Sequence, residues 1–176
     1  MGVNNIRDFV VPDYHAFGNK KTFERDACTI EPDVSRVLMG QNIPSNVIKR
    51  NYPGPFERIY YRRTTDCFDI KNGIIFGGGR TTTGLLIGVA IVMGARQIYV
   101  AGMDGYSRYV EEGANPWHHR MPTNCRGFKG HDTYGRDYYK ALDDAAYTDL
   151  QNIRNYQLQK EMKVFQFVTP TTYEVS

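Results

Sequence analysis

The chain has 176 residues, with 22 Lys and Arg against 19 Asp and Glu and a formal net charge of +3. That length suits one domain with a real core, and the basic residues are scattered rather than striped, so nucleic-acid binding is not implied. Cys28, Cys67 and Cys125 stand at no recognisable spacing, which argues against a disulfide framework and for a reducing compartment, read as the cytoplasm.

Phe9-Val10-Val11, halted by Pro12, reads as a short strand or strand end. Asn19 to Cys28 carries Phe23 and Ala27 at helical spacing, which predicts a short helix. Arg36 to Gly40 reads as a buried strand ending at glycine, and Gln41 to Pro55, rich in Pro, Asn and Gly, as a loop. Ile59-Tyr60-Tyr61 gives the stretch from Phe56 to Arg62 strand propensity, and Gly73 to Phe76 is a further short strand or the run into a glycine turn.

Residues 82–95 are apolar nearly all round, the pattern of a helix buried between layers. Leu85 to Ala95, the longest apolar run, is broken by Gly88 and Gly94 and is too short to span a bilayer; with no signal pattern either, no transmembrane segment is expected. Gly94 ends the helix, and Gln97 to Ala101 follows as a strand after a tight connection. Residues 103–130 lack periodicity and read as a lid-like loop. Tyr138, Leu142, Ala145, Ala146, Leu150, Ile153 and Leu158 predict a helix within 133–162, and Lys163 to Val168 a last strand, stopped by Thr169-Pro170.

This alternation predicts an α/β fold: one Rossmann-like domain over residues 1–176, its mainly parallel sheet flanked by helices. Ligands of such sheets sit beyond the carboxyl ends of the strands, where Gly77 to Thr83, the loop after Ala101 and the residues after Val168 would gather.

The glycines at 77–79 let backbone approach a ligand, and Thr81 to Thr83 can cap the helix that follows. Amides near Thr82 and Thr83 favour a phosphate or carboxylate, and Arg80 adds a planar cation; the same pattern also fits a tight turn that merely starts a buried helix. His131, between Gly130 and Asp132, suits a general base aimed from a loop end, or a helix cap. Asp104 in Gly-Met-Asp-Gly can bind magnesium or a ribose hydroxyl, or hold an Asx turn. Asn4, Asn5, Gln41 and Asn42 fall near expected strand ends and offer amides to a base or sugar. His118, His119, Cys125 and His131 match no common zinc pattern, so no metal site is expected.

Arg80-Thr81-Thr82-Thr83-Gly84 through Ala90, Gly94, Gln97-Ile98-Tyr99, Gly102-Met103-Asp104-Gly105-Tyr106 and then Gly130-His131 resemble, in this order, the bacterial lipooligosaccharide sialyltransferases, glycosyltransferase family 42. The likeness covers most of residues 80–168. It implies an inverting, metal-free transfer from CMP-sialic acid, or a related CMP-activated nonulosonic acid, to a glycan acceptor in surface glycan synthesis. It implies that His131 is the general base, that Tyr106 and the less closely matched Tyr109 hold the departing phosphate, and that Arg80 is the active-site arginine. Thr83 and Gly84 would lie near the nucleotide, and Asn4 would touch the cytidine. The family opens with a strand and a Gly-Asn-Gly-Pro-Ser-like loop that this chain lacks, so the fold is expected to be incomplete at its amino end and the donor site is in doubt. Related domains occur in pterin pyrophosphokinases, in flagellin-modifying proteins and fused to aldolase-like domains. Two alternatives therefore stand beside the transferase: a pyrophosphokinase-like enzyme using Asp104 with magnesium, and a non-catalytic accessory domain. A homo-oligomer is compatible with all three.

Overall fold

The computed structural model describes residues 1–3, 10–31, 33–103, 105, 136–169, 171 and 173, and of Arg136 the backbone alone. The chain is mixed α/β, and its described residues divide into two compact units, one up to Tyr61 and the other from Arg62 onward.

The first unit is built on four parallel strands in chain order: β1 (Gly2–Val3), β2 (Tyr14–Phe17), β3 (Arg36–Gly40) and β4 (Phe56–Ile59). Side chains alternate across such a sheet, so the register fixes which residues share a face. Phe17, Met39 and Arg58 form one cross-strand row, and His15, Val37 and Phe56 the next. Against these rows pack α1 (Lys20–Asp26) through Phe23, with Ala27 just beyond it, and α2 (Ser45–Asn51) through Val47 and Ile48, making one buried apolar cluster. Both helices on one face is what right-handed crossovers between neighbouring parallel strands require. Asn19 starts α1 by accepting a hydrogen bond from the Thr22 amide at 2.8 Å.

Arg58 closes this unit's carboxyl edge. Its guanidinium donates to the carbonyls of Gly40 (3.1 Å) and Ile43 (2.7 Å) and to Ser45 Oγ (2.8 Å), tying the end of β3 to the start of α2. The Gln41 side-chain amide donates to the Tyr61 carbonyl and accepts from its N–H.

In the second unit β5 (Tyr61–Arg62), β7 (Ile74–Phe76) and β6 (Asp69–Lys71) form a three-stranded sheet in that order, with β6 and β7 antiparallel. The hairpin turn is Asn72-Gly73, both at positive φ (51° and 74°), the geometry two-residue hairpins favour. A glycine turn leads from β7 into α3 (Thr82–Val92), and β8 (Tyr99–Val100) pairs in parallel with β9 (Gln166–Phe167). The long helix α4 (Arg136–Gln159) buries Tyr139, Ala146, Leu150 and Ile153. At its end Gln157, 1 % exposed, donates to the Lys163 carbonyl and accepts from the Phe165 amide, which fixes the entry into β9. Near its start Asp143 accepts a hydrogen bond from the Tyr173 hydroxyl at 2.5 Å in buried surroundings.

Four expectations are corrected. Val10 and Val11 are exposed and outside any strand; the strand begins at Tyr14, past Pro12, where His15 and Phe17 are buried. Residues 41–55 contain α2, because Val47 and Ile48 find an apolar cluster to fill despite the turn-like composition around them. The strand expected over Gln97 to Ala101 pairs only at Tyr99 and Val100. Cys28 is disulfide-bonded, while Cys67 is free and exposed; spacing along a chain says nothing of which sulfurs meet in space, so the cysteine argument for a reducing compartment falls away. Among the described residues no helix is long and apolar enough to cross a membrane.

Candidate functional site

The site is assembled where β7 turns into α3. Gly77 has φ +80°, and its N–H donates to the Arg62 carbonyl at 2.9 Å, so the turn is stitched to β5. A side chain there would meet the Cys67 carbonyl oxygen 2.2 Å away, which only glycine avoids. Gly84, in the first turn of α3, is required for a second reason: a Cβ would stand 2.7 Å from the Gly78 carbonyl oxygen, so its absence lets the helix start fold back onto the turn.

Thr81 is the N-cap, extended at φ −113° and ψ 151°, and its hydroxyl accepts from the Gly84 amide at 2.9 Å. The Thr82 and Thr83 amides have no acceptor within the helix, as the geometry of any helix start dictates, and among the described residues neither meets one elsewhere. The body of α3, buried from Gly84 through Val89 and again at Ile91, anchors these donors.

One face of α4 lies over the turn. Ile153 Cδ1 lies 3.3 Å from where a Gly78 Cβ would stand, Asn152 donates to the Thr65 carbonyl at 3.3 Å, and Tyr156 meets the Phe68 ring edge-on at 5.1 Å. Asp149, one turn earlier on that face and 1 % exposed, puts its carboxylate into the turn. Its Oδ2 accepts from the Arg80 backbone N–H at 2.9 Å, whereas the Arg80 guanidinium stands off, Nε to Oδ1 at 3.9 Å and 30 % exposed. Asp149 Oδ1 is buried without a hydrogen-bond partner. Burial pushes the Asp149 carboxyl pKa above the ordinary carboxylate value, against the opposing pull of the Arg80 N–H, the Arg80 charge, the Gly78 N–H and the more distant Arg63. The turn thus holds an anion already, and that anion is the chain's own.

Arg80, Thr82, Thr83 and Gly84 come together at this turn. Asn42 is exposed in the first unit, just after β3, with its Oδ1 close over Gly40. His131, Tyr106, Tyr109, Asp104 and Asn4 lie outside the described residues. The segment just before Asp104 is tied to the chain after β9: the Gly102 amide donates to Thr169 Oγ1 at 2.8 Å, and Thr171 Oγ1 donates to the Met103 carbonyl at 2.6 Å. The sequence reading missed Asp149, although an acidic residue on the stripe Ala146, Asp149, Leu150, Ile153 is a legible sign of a buried carboxylate with a task. Among the described residues no group of His, Cys, Asp and Glu could hold a metal ion. Comparison with known proteins finds no matching family model, no matching curated protein and no matching solved structure.

Proposed function

We propose that the chain is a Rossmann-like, sialyltransferase-like glycosyltransferase domain that takes a CMP-activated nonulosonic acid as donor and a glycan hydroxyl as acceptor, with no metal required. The observation that carries this reading is the set of unspent donors at one turn: the half-exposed Arg80 guanidinium and the uncommitted Thr82 and Thr83 amides at the start of a buried helix. Such a set fits an oxyanion rather than a neutral ligand. In this reading His131 removes the acceptor proton as the acceptor oxygen attacks the donor's anomeric carbon and the bond to the CMP phosphate breaks. Tyr106 and Tyr109 donate hydrogen bonds to the departing phosphate, Arg80 offsets its charge, and Asp104 contributes a polar contact to the nucleotide. The sequence resemblance supplies the roles of His131, Tyr106, Tyr109 and Arg80; that of Asp104 comes from its place just after an expected strand.

Asp149 favours a second reading. A turn whose Arg80 amide is satisfied by an internal carboxylate also suits an accessory domain that binds no nucleotide. Thermal-shift titration with CMP, CDP, GTP and ATP, with and without magnesium, separates them. Stabilisation by CMP without magnesium supports the transferase, and a response to ATP with magnesium alone points to a pyrophosphokinase-like enzyme acting through Asp104. No response to any nucleotide leaves the accessory domain.

A further inference from the structure

We propose that Asp149 is a built-in surrogate for the ligand's anion: a phosphate-type oxyanion binds the Arg80 guanidinium and the Thr82 and Thr83 amides, Arg80 swings off Asp149, and Asp149 takes up one proton from solvent in exchange. The inference rests on the transferase reading only for the choice of a nucleotide phosphate as the natural ligand.

Arg80 uses two parts differently. Its backbone N–H is committed to Asp149 Oδ2 at 2.9 Å, while the guanidinium, at 3.9 Å from Oδ1, is held by attraction across a gap rather than by a hydrogen bond. Moving the guanidinium therefore leaves the turn's backbone intact. It also removes the nearest positive charge from a carboxylate that is 1 % exposed and whose Oδ1 has no hydrogen-bond partner. A buried carboxylate stripped of its cation is costly to keep ionised, and a proton is the available replacement. It would sit on Oδ1, leaving Oδ2 free to keep accepting from the Arg80 amide.

Among the described residues, two cations act on Asp149. Arg80 comes from the turn and Arg63 from the segment after β5. The start of α3 contributes uncharged threonines, and the α4 neighbours Ala145, Ala146, Asn152 and Ile153 carry no charge. On β6, Asp69 is engaged by Lys71 at 2.6 Å. Among the described residues, the exposed Arg63 is the further cation acting on Asp149.

The test uses sulfate, whose charge is constant across the working range, titrated calorimetrically into the whole chain from about pH 5 to about pH 8 in cationic buffers of different ionisation enthalpy. The expected result is uptake approaching one proton per sulfate, with affinity falling as pH rises by up to about tenfold per pH unit. Asp149→Asn should bind sulfate without proton uptake, and Arg80→Ala should not bind it. Sulfate binding with no proton uptake, uptake that persists in Asp149→Asn, or no sulfate binding at all overturns the proposal. Should Asp149→Asn fail to fold, the buffer dependence of the unaltered chain and the Arg80→Ala result decide alone. Displacement of sulfate by CMP identifies nucleotide phosphate as the source. Proton-coupled sulfate binding that CMP does not displace keeps the oxyanion site and sinks the transferase reading, so the two failures are told apart.

Discussion

Replacing Gly77 by alanine tests whether the glycine turn is as tightly stitched as its geometry indicates. Two costs combine at this position. A non-glycine residue at φ +80° costs roughly 1–2 kcal/mol, partly offset by about 0.4–1 kcal/mol from the stiffer unfolded chain. The second cost is steric: the new Cβ would start 2.2 Å from the Cys67 carbonyl oxygen, which is backbone and cannot rotate away. Relief means moving the turn from the 64–68 segment and stretching the Gly77 N–H contact to Arg62, an overpacking cost of about 1–3 kcal/mol plus about 1 kcal/mol for the hydrogen bond. Gly94→Ala is the internal control, since Gly94 shares φ +80° yet has nothing within 4 Å of its would-be Cβ. Urea unfolding followed by circular dichroism should place Gly77→Ala roughly 2–4 kcal/mol below Gly94→Ala. Equal stabilities for the two variants would refute the steric half of the reasoning.

Thr81→Ala removes the hydroxyl that caps α3 and should cost about 1 kcal/mol in the same unfolding assay, with Thr81→Ser restoring most of it. Arg58→Met deletes three hydrogen bonds at the β3 to α2 junction and leaves the Ile43 carbonyl without its donor, while the Gly40 carbonyl keeps the Ile43 N–H, so a loss of about 2–3 kcal/mol is expected, read by unfolding and by faster amide exchange in α2. Because burial raises the Asp149 pKa in the folded state above its unfolded value, the native state binds this proton more tightly. Its contribution to stability therefore falls as pH rises from the ordinary carboxylate value through the raised one, and Asp149→Asn should flatten that decline in urea midpoints measured across pH. His131→Ala should lower transfer by about 10²–10⁴ while CMP affinity holds, checked by turnover and by thermal shift.

Much of the second unit was legible because its signals are local. The apolar run after Thr81 with its glycines marked α3, and the stripe from Tyr138 to Leu158 marked α4. Arg36 to Gly40 was read to the residue as β3. The failures have physical causes. β2 hides a histidine among its buried positions, so no apolar run announced it. The helix α2 is seven residues long and owes its existence to Val47 and Ile48 reaching the core rather than to propensity. Asn72-Gly73 is a strong hairpin signal that should have revealed β6. At the site, Arg80 and the helix-start amides were legible from the glycines and threonines. Asp149 was legible as a buried carboxylate on the α4 stripe, but its meeting with these groups was not, because it is 69 residues away in sequence and only the fold brings it there.

The strand order of the first sheet carries a consequence for how the chain is made. Each of β2, β3 and β4 pairs with the strand synthesised just before it, so a nascent chain emerging from the ribosome can add them one at a time to an existing edge. Among the described residues β8 has no such partner on hand. It must wait for β9, across an interval roughly three times longer, which adds about 1 kcal/mol of closure entropy. During translation the segment around Tyr99 is therefore, among the described strands, the one that waits longest for its partner, and a stalled or truncated product leaves it exposed to wrong pairing.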